Sequence, residues 1–440
     1  MTDLKRSSTN LLTVSYRGSD KLFVQSLASY LILAILLLID FVYHEQLMRS
    51  SIEYTVQLQT YRSLETPLRY ISTIMNKMSY FYLFFLISVR KDFEKIALLI
   101  FASTMMFFFN GVVKMFYHEP RPYFLDERII GFVGFKCDYG TPSGWTQKNF
   151  GLLLFFYWDA VTTYSLRKFK KRLIQFGLFV SAVVLLITQM FFGSSSFMQV
   201  LLGLSFGVSF FFLFQNLESR ILQEFIWPIF YKDRFVNRNS IGLIFFTVIG
   251  CNFILIYLWA WLYTSFEDLS NPFFDFKNAK ECLSGIDLNF STKVLLDSPS
   301  FNFFFGMLIG IYIRPSTLFF HQGFYTDKSV FKFIARFFLN IVLVFPLWSY
   351  IYLPSSKYPF VELFRGIFEN FLAGYLFTRY GRSWLKLWGL APPLARTSMI
   401  DNVSKKVVIK EPVLDDIEEK SDSSRSAHVD DQNQNLEIKE

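Results

Sequence analysis

Long apolar runs alternate with short polar or basic segments along most of the chain. Each run is about 20 residues long, the length at which an α-helix crosses a hydrocarbon core of roughly 30 Å. We predict about ten such helices, within a range of about nine to eleven. Their predicted starts are near Leu22, Arg69, Ile96, Asn149, Leu173, Gln199, Ser240, Pro299, Phe333 and Pro359. The pattern therefore predicts an all-α, polytopic membrane helical bundle.

The two ends of the chain differ from its middle. Residues 1–21 are polar and show no small-residue cleavage pattern, so we expect a cytosolic N-terminal segment and no removable signal peptide. Residues 387–440 are rich in Ser, Asp, Gln, Asn and Glu, which predicts a disordered cytosolic tail. Between them we place a first membrane helix and loop at 22–68, a six-helix core at 69–215 and additional membrane helices at 216–386.

Composition and charge exclude a soluble domain. Hydrophobic residues make up 52 % of the chain and charged residues only 18 %, which is too little charge to cover a soluble surface. The formal charge of +8 comes from basic residues in short loops between the apolar runs, so we expect the bilayer as the partner and no nucleic acid. The positions of these basic loops predict that both termini are cytosolic. We prefer an endomembrane, the endoplasmic reticulum, to the plasma membrane.

The three cysteines do not form a disulfide framework. Cys137 and Cys282 fall in loops predicted to lie outside the cytosol, so one bridge and two free thiols are both open, and we favour free thiols. Cys251 lies within a hydrophobic run. We expect no cofactor and no metal ion.

The end of the third predicted helix carries two basic residues at a spacing suited to an anion. Lys114 is followed, after six intervening residues, by Arg121 and Pro122. Arg supplies a planar fork of donors and Lys a mobile point charge, so the pair could hold one multivalent anion. Anchoring of the helix at the membrane interface is the alternative.

A second candidate segment, Pro142-Ser143-Gly144-Trp145, precedes the fourth predicted helix. Such a turn presents a hydroxyl and backbone N–H groups where the helix dipole favours negative charge. Both segments are predicted at the same face of the membrane. We therefore expect Lys114, Arg121, Ser143 and Gly144 to converge on one phosphate.

The two motifs resemble those of the type 2 phosphatidic acid phosphatase and haloperoxidase superfamily, which includes glucose-6-phosphatase and the lipid phosphate phosphatases. The first family motif, Lys followed after six residues by Arg-Pro, is matched in full by Lys114, Arg121 and Pro122. The second, Pro-Ser-Gly-His, is matched in its first three positions. The resemblance covers about residues 69–214 and implies a six-helix core with a phosphate-ester site.

The chain departs from the family at the catalytic positions. Trp145 replaces the histidine associated with protonation of the leaving group, and it has no titratable proton near neutral pH. In the third motif, Gln189, Ser195 and Gln199 stand where the family has its second arginine, its nucleophilic histidine and the aspartate that orients it. The family reaction is metal-free attack by that histidine, and a hydroxyl without a base is a poor nucleophile. We therefore expect catalytic impairment and assign no catalytic residue.

Other titratable residues are candidate replacements for the missing catalytic groups. Among the four histidines, we expect only His118 to lie near the motifs, and we expect it to have a hydrogen-bonding or structural role. Glu362, Arg365 and Glu369 share one face of the last predicted helix. They could mark a substrate path, but we favour an internal ion pair that packs two helices together.

Three functions are consistent with the sequence. The first is a degenerate superfamily member that retains a binding site for a phosphorylated lipid or sugar. The second is an active phosphatase that hydrolyses a lipid or sugar phosphate monoester at the lumenal face. The third is a transporter, scramblase or assembly subunit that reuses the bundle.

Overall fold

The protein is described here by a computed structural model covering residues 2–74, 93–130, 138–163, 168–226, 238–266, 300–312 and 359–388, with the separate positions 331, 334, 335, 338, 339 and 342. These residues form helices and turns, with no strand among them. The prediction of an all-α membrane bundle is confirmed. The main helices are α1 (Thr2–Gln59), α2 (Phe93–Tyr117), α3 (Gly144–Thr163), α4 (Lys168–Phe191), α5 (Phe197–Ile221), α6 (Arg238–Phe266), α7 (Phe301–Tyr312) and α8 (Pro359–Leu387).

Most helices begin within a few residues of the start that the apolar runs predict. The largest difference is α1, which begins at Thr2 instead of near Leu22. A smaller one is α3, which begins at Gly144 instead of near Asn149. Its first turns contain Thr146 and Gln147, which are polar yet almost completely buried. Hydropathy finds where an apolar run begins and therefore misses a helix that starts with buried polar residues.

Helix α1 is longer than the membrane requires. Its apolar part, Leu22–Gln59, has 38 residues and is therefore about 57 Å long, nearly twice the thickness of the hydrocarbon core. The part predicted as a loop is helical as far as Gln59. It packs against α5, where the backbone N–H of Phe197 donates to Ser51 Oγ at 2.9 Å and Ser209 Oγ donates to the carbonyl of Ser29 at 3.3 Å. The bundle around the motifs therefore includes α1, upstream of the predicted core.

The protein is an integral membrane protein. Within the described residues, five helices are long and apolar enough to cross a membrane: Leu22–Gln59, Ile96–Leu125, Lys168–Phe191, Phe197–Ile226 and Ile244–Trp261. The most apolar window of α2 is 78 % buried, against 11 % in α1 and 17 % in α4. Helix α2 is therefore the central helix, whereas α1 and α4 present apolar side chains to lipid.

Helices α7 and α8 approach each other closely because glycine lies at their contact. A Cβ atom at Gly306 would lie 1.9 Å from the carbonyl oxygen of Phe371, and one at Gly374 would lie 1.9 Å from that of Phe303. Helix α7 also meets α6 through reciprocal 3.1 Å side-chain hydrogen bonds between Asn252 and Asn302. These contacts attach the additional helices to the bundle.

The charged residues of α8 form an ion pair within one helix. Arg365 Nε lies 2.8 Å from Glu369 Oε1, four residues further on, and both side chains are largely buried. The prediction of an internal ion pair is confirmed, and this pair lies within one helix. The side chain of Glu362 lies outside the described part of the structure.

Several predictions fall outside the described residues. These are the pairing of Cys137 with Cys282, the tail at 389–440 and most of the helix predicted near Phe333. Cys251 is described, and it is buried in α6 as a free thiol.

Candidate functional site

The two cations of the first motif are buried at one end of α2. Lys114 lies in its last turn, and Arg121 precedes the short helix Pro122–Leu125. Their exposed fractions are 3 % and 8 %. The alternative that they anchor the protein at the membrane interface is therefore wrong, since an interfacial anchor would extend its charge into water.

Both cations bind one carboxylate, that of Asp138. Lys114 Nζ lies 2.5 Å from Asp138 Oδ2, and Arg121 Nε lies 3.0 Å from Asp138 Oδ1. Arg121 Nη2 donates to the same Oδ1 atom. The formal charge of the three side chains is +1, because two cations share one anion. A carboxylate offers these donors the same kind of charged oxygen as a phosphate does.

Asp138 was not among the predicted site residues. It lies in a segment predicted to be a loop, seventeen residues after Arg121. The only sequence signal was an acidic residue shortly before the Pro-Ser-Gly turn, and acidic residues are common in loops. Pairing over such a separation depends on tertiary structure and has no local signature.

The Pro-Ser-Gly turn is held against the start of α5. The backbone N–H of Ser143 donates to the carbonyl of Gln199 at 3.0 Å, and Ser143 Oγ lies 3.0 Å from Thr146 Oγ1. A Cβ at Gly144 would lie 2.5 Å from Asn110 Oδ1, so this close approach favours glycine. Ser143 is 1 % exposed. The turn enters a helix as predicted, but its serine N–H already has a protein acceptor.

The third motif forms a neutral hydrogen-bonded turn. Gln189 Oε1 accepts from Ser194 Oγ at 2.7 Å and from Ser195 Oγ at 3.4 Å, while Ser195 Oγ also donates to the carbonyl of Ser194 at 2.8 Å. Arg121 Nη1 donates to that carbonyl as well. The turn is therefore joined to the cationic pair through a backbone oxygen.

Gln199 caps helix α5. Its Oε1 accepts from the backbone N–H of Ser196 at 2.9 Å, and its own N–H donates to Ser196 Oγ at 3.2 Å, which together make a capping box. Its Nε2 donates to the carbonyl of Pro120 at 3.1 Å. The side chain at the position of the family's orienting aspartate therefore joins backbone segments of the first and third motifs.

Neither candidate hydroxyl has a base beside it. In the described part of the chain, no histidine or carboxylate forms a hydrogen bond with Ser143 Oγ or Ser195 Oγ. Trp145, at the second position of α3, is half-buried. The arrangement of these residues can hold a negative charge, but it lacks a group that would activate either serine.

His118 agrees with the sequence expectation, whereas His44 does not. His118 has a φ of 40° and its Nδ1 lies 3.1 Å from the carbonyl of Phe116, which agrees with a structural role. The expectation that only His118 is near the motifs is wrong, because His44 Nδ1 lies 3.3 Å from Glu119 Oε1. His44 belongs to α1, and only the packing of α1 on the bundle brings it there.

An exposed arginine close to the site is paired differently from Arg121. Arg128 Nη2 lies 2.6 Å from Glu53 Oε1 and 2.7 Å from Asp126 Oδ2. Hydrogen bonds from Arg128 lower the pKa of Asp126 below its usual value, although partial burial opposes this. Arg128 therefore provides a matched control for Arg121, with similar chemistry in solvent.

Comparison with known families agrees with this geometry. Residues 94–221 match the model of the PAP2 superfamily, which covers α2 to α5 and all three motif regions. This match supports membership of the type 2 phosphatidic acid phosphatase superfamily. No curated protein and no solved structure matches the chain.

Proposed function

We propose that this superfamily member binds a phosphate ester and does not hydrolyse it. The observation that carries the proposal is the buried pair of Lys114 and Arg121, which retains a net positive charge around a single internal carboxylate. The proposed phosphate ligands are Lys114, Arg121, Ser143 and Gly144. Asp138 is a fifth participant that competes with the ligand.

Asp138 competes with a phosphate ester because both are anions that offer acceptor oxygens to the same two cations. A phosphate monoester carries a charge of about −1.5 to −2 at pH 7 and three acceptor oxygens. It would therefore balance two cations better than one carboxylate does. Exchange of the carboxylate for phosphate would break the present ion pairs, so we expect weaker binding than in a site without Asp138.

The lack of hydrolysis follows from the replacement of the family's acid and nucleophile. Trp145 cannot protonate a leaving group, and Ser195 has no base to make it a nucleophile. Loss of such a nucleophile costs about a millionfold in rate in well-studied hydrolases. A bound ester would therefore persist.

The ligand is a phosphorylated lipid or sugar. The site lies at the end of α2 at the membrane boundary, so an ester that is itself in the bilayer or that approaches from the lumen could reach it. We place this face in the lumen of the endoplasmic reticulum, with both termini in the cytosol, because the basic loops lie on the opposite face.

The direct test is phosphate release from a panel of lipid and sugar phosphates by the purified protein. Wild type, Arg121→Ala and Arg128→Ala are compared, and we expect equal background release from all three. Release that is lost in Arg121→Ala and retained in Arg128→Ala would contradict the proposal and establish an active phosphatase.

One observation favours transport as a second candidate function. Glu369 is largely buried in α8, and its Oε2 atom has no hydrogen-bond partner in the described part of the chain. Ionisable residues within a membrane bundle often mark ion or substrate paths. Lipid scrambling or solute uptake in reconstituted vesicles that is lost in Glu369→Gln would support this function, and the absence of both activities would exclude it for the substrates tried.

A further inference from the structure

A cluster of three potential metal ligands lies beside the candidate phosphate site. Asp40 and His44 are four residues apart on α1, and Glu119 follows α2. One ligand atom from each residue lies within 4.8 Å of the other two. None of the three is among the proposed phosphate ligands.

The distances within this cluster favour a shared cation over hydrogen bonds. His44 Nδ1 faces two carboxylates, at 3.3 Å from Glu119 Oε1 and 3.7 Å from Asp40 Oδ1. Both distances exceed those of a good hydrogen bond, and one ring nitrogen carries only one proton. Ligand atoms about 2.05 Å from a tetrahedral metal ion are about 3.4 Å apart, which is close to the observed spacing.

Glu119 is oriented by a hydrogen bond from Thr141. Thr141 Oγ1 donates to Glu119 Oε2, which leaves Oε1 directed at His44. Partners of this kind fix the orientation of metal-binding carboxylates in proteins. Thr141 belongs to the turn that contains Ser143, so the cluster is attached to the same turn as the phosphate site.

The charge of the cluster also points to a cation. Two carboxylates face each other here, and Asp40 is only 5 % exposed. Within the described residues, neither carboxylate forms an ion pair with a lysine or arginine. Even when His44 is protonated, the three side chains keep a formal charge of −1, and partly buried negative charge of this kind is costly. A divalent ion bound by two carboxylates and a neutral imidazole would leave no net charge.

The predicted starts of the two membrane crossings place the cluster near the aqueous boundary. About 20 helical residues cross the hydrocarbon core, so the crossing that starts at Leu22 ends near residue 41 and the crossing that starts at Ile96 ends near residue 115. His44 and Glu119 both lie just beyond these points. The side chain of His44 is 37 % exposed, which leaves room for a water ligand.

We propose that Asp40, His44 and Glu119 bind one divalent transition-metal ion, for which Zn²⁺ is the best match. Nitrogen and carboxylate oxygen ligands in this number suit a zinc site whose fourth position is open. The ion joins α1 to the segment between α2 and the Pro-Ser-Gly turn. The proposal does not depend on whether the protein binds phosphate.

The test is the zinc content of the tag-free protein in detergent micelles. The protein is stripped with a chelator, dialysed against Zn²⁺ and analysed by mass spectrometry, alongside His44→Ala, Glu119→Gln and His118→Asn. We expect one Zn²⁺ per chain in wild type and His118→Asn, and at least about tenfold weaker binding in the other two variants. Asn is the chosen control because it tolerates the positive φ at residue 118.

Wild-type protein without stoichiometric zinc would overturn the proposal, as would equal zinc content in His44→Ala. A second measurement remains informative if the ligand variants do not fold. Saturating Zn²⁺ should raise the thermal unfolding temperature of wild type, because the ion binds only the folded arrangement of α1 and Glu119. An unchanged unfolding temperature would also overturn the proposal.

Discussion

The first motif contains buried charged side chains, whereas the third motif contains neutral ones. The first motif retains Lys114 and Arg121, and Asp138 partly neutralises them. In the third motif, Gln189 and Ser195 occupy the charged family positions and hydrogen-bond within a neutral turn. Both arrangements satisfy buried polar groups, so the fold does not require charged side chains at the third motif. Only the first arrangement keeps a net positive charge.

The largest loss of stability is expected from Arg121→Ala, which removes one of the two cations of the first motif. The substitution leaves Asp138 with one buried partner and removes the donor to Ser194. Breaking a buried ion pair from one side costs about 3–5 kcal/mol of stability. Chemical unfolding in detergent should show this loss, and Arg128→Ala should change the stability little because its ion pairs are exposed.

A double substitution tests whether Arg121 and Asp138 act as a pair. Arg121→Ala combined with Asp138→Asn should be less destabilising than the sum of the two single substitutions, since both single changes remove the same ion pair between Arg121 and Asp138. Additive losses would show that the two residues do not act as a pair.

An intermediate effect is expected where the second motif contacts α5. A Cβ at Gly203 would lie 2.7 Å from the carbonyl oxygen of Ser143. Gly203→Ala should therefore displace the Pro-Ser-Gly turn and cost about 1–3 kcal/mol, measured by unfolding. Gly250→Ala in α6 is the matched control, because a Cβ there has no neighbour within 4 Å. Equal behaviour of the two variants would contradict the close contact.

The smallest loss of stability is expected in the neutral turn of the third motif. Ser196→Ala removes one half of the capping box at the start of α5, which costs about 1 kcal/mol. Ser196→Asp should retain most of the stability, because aspartate also caps helices. A loss as large as that of Arg121→Ala would show that the neutral turn is not the more tolerant region.

Sequence reasoning predicted what local patterns encode. Apolar runs located most helices, and the motif spacing correctly identified Lys114 and Arg121 as a pair that shares one environment. The sequence did not predict that Asp138 pairs with these cations, that His44 lies close to Glu119 or that α1 continues to Gln59. The first two are contacts between distant residues, and the third is a polar extension of a helix that hydropathy treats as a loop.

The most direct test is the binding of inorganic phosphate to wild type, Arg121→Ala and Asp138→Asn in detergent, measured by calorimetry. We predict detectable binding by wild type, loss of binding in Arg121→Ala and binding about tenfold or more tighter in Asp138→Asn, because the competing carboxylate is removed. Arg128→Ala should bind like wild type. Equal affinity of wild type and Arg121→Ala, or weaker binding in a folded Asp138→Asn protein, would contradict a phosphate site at this cationic pair.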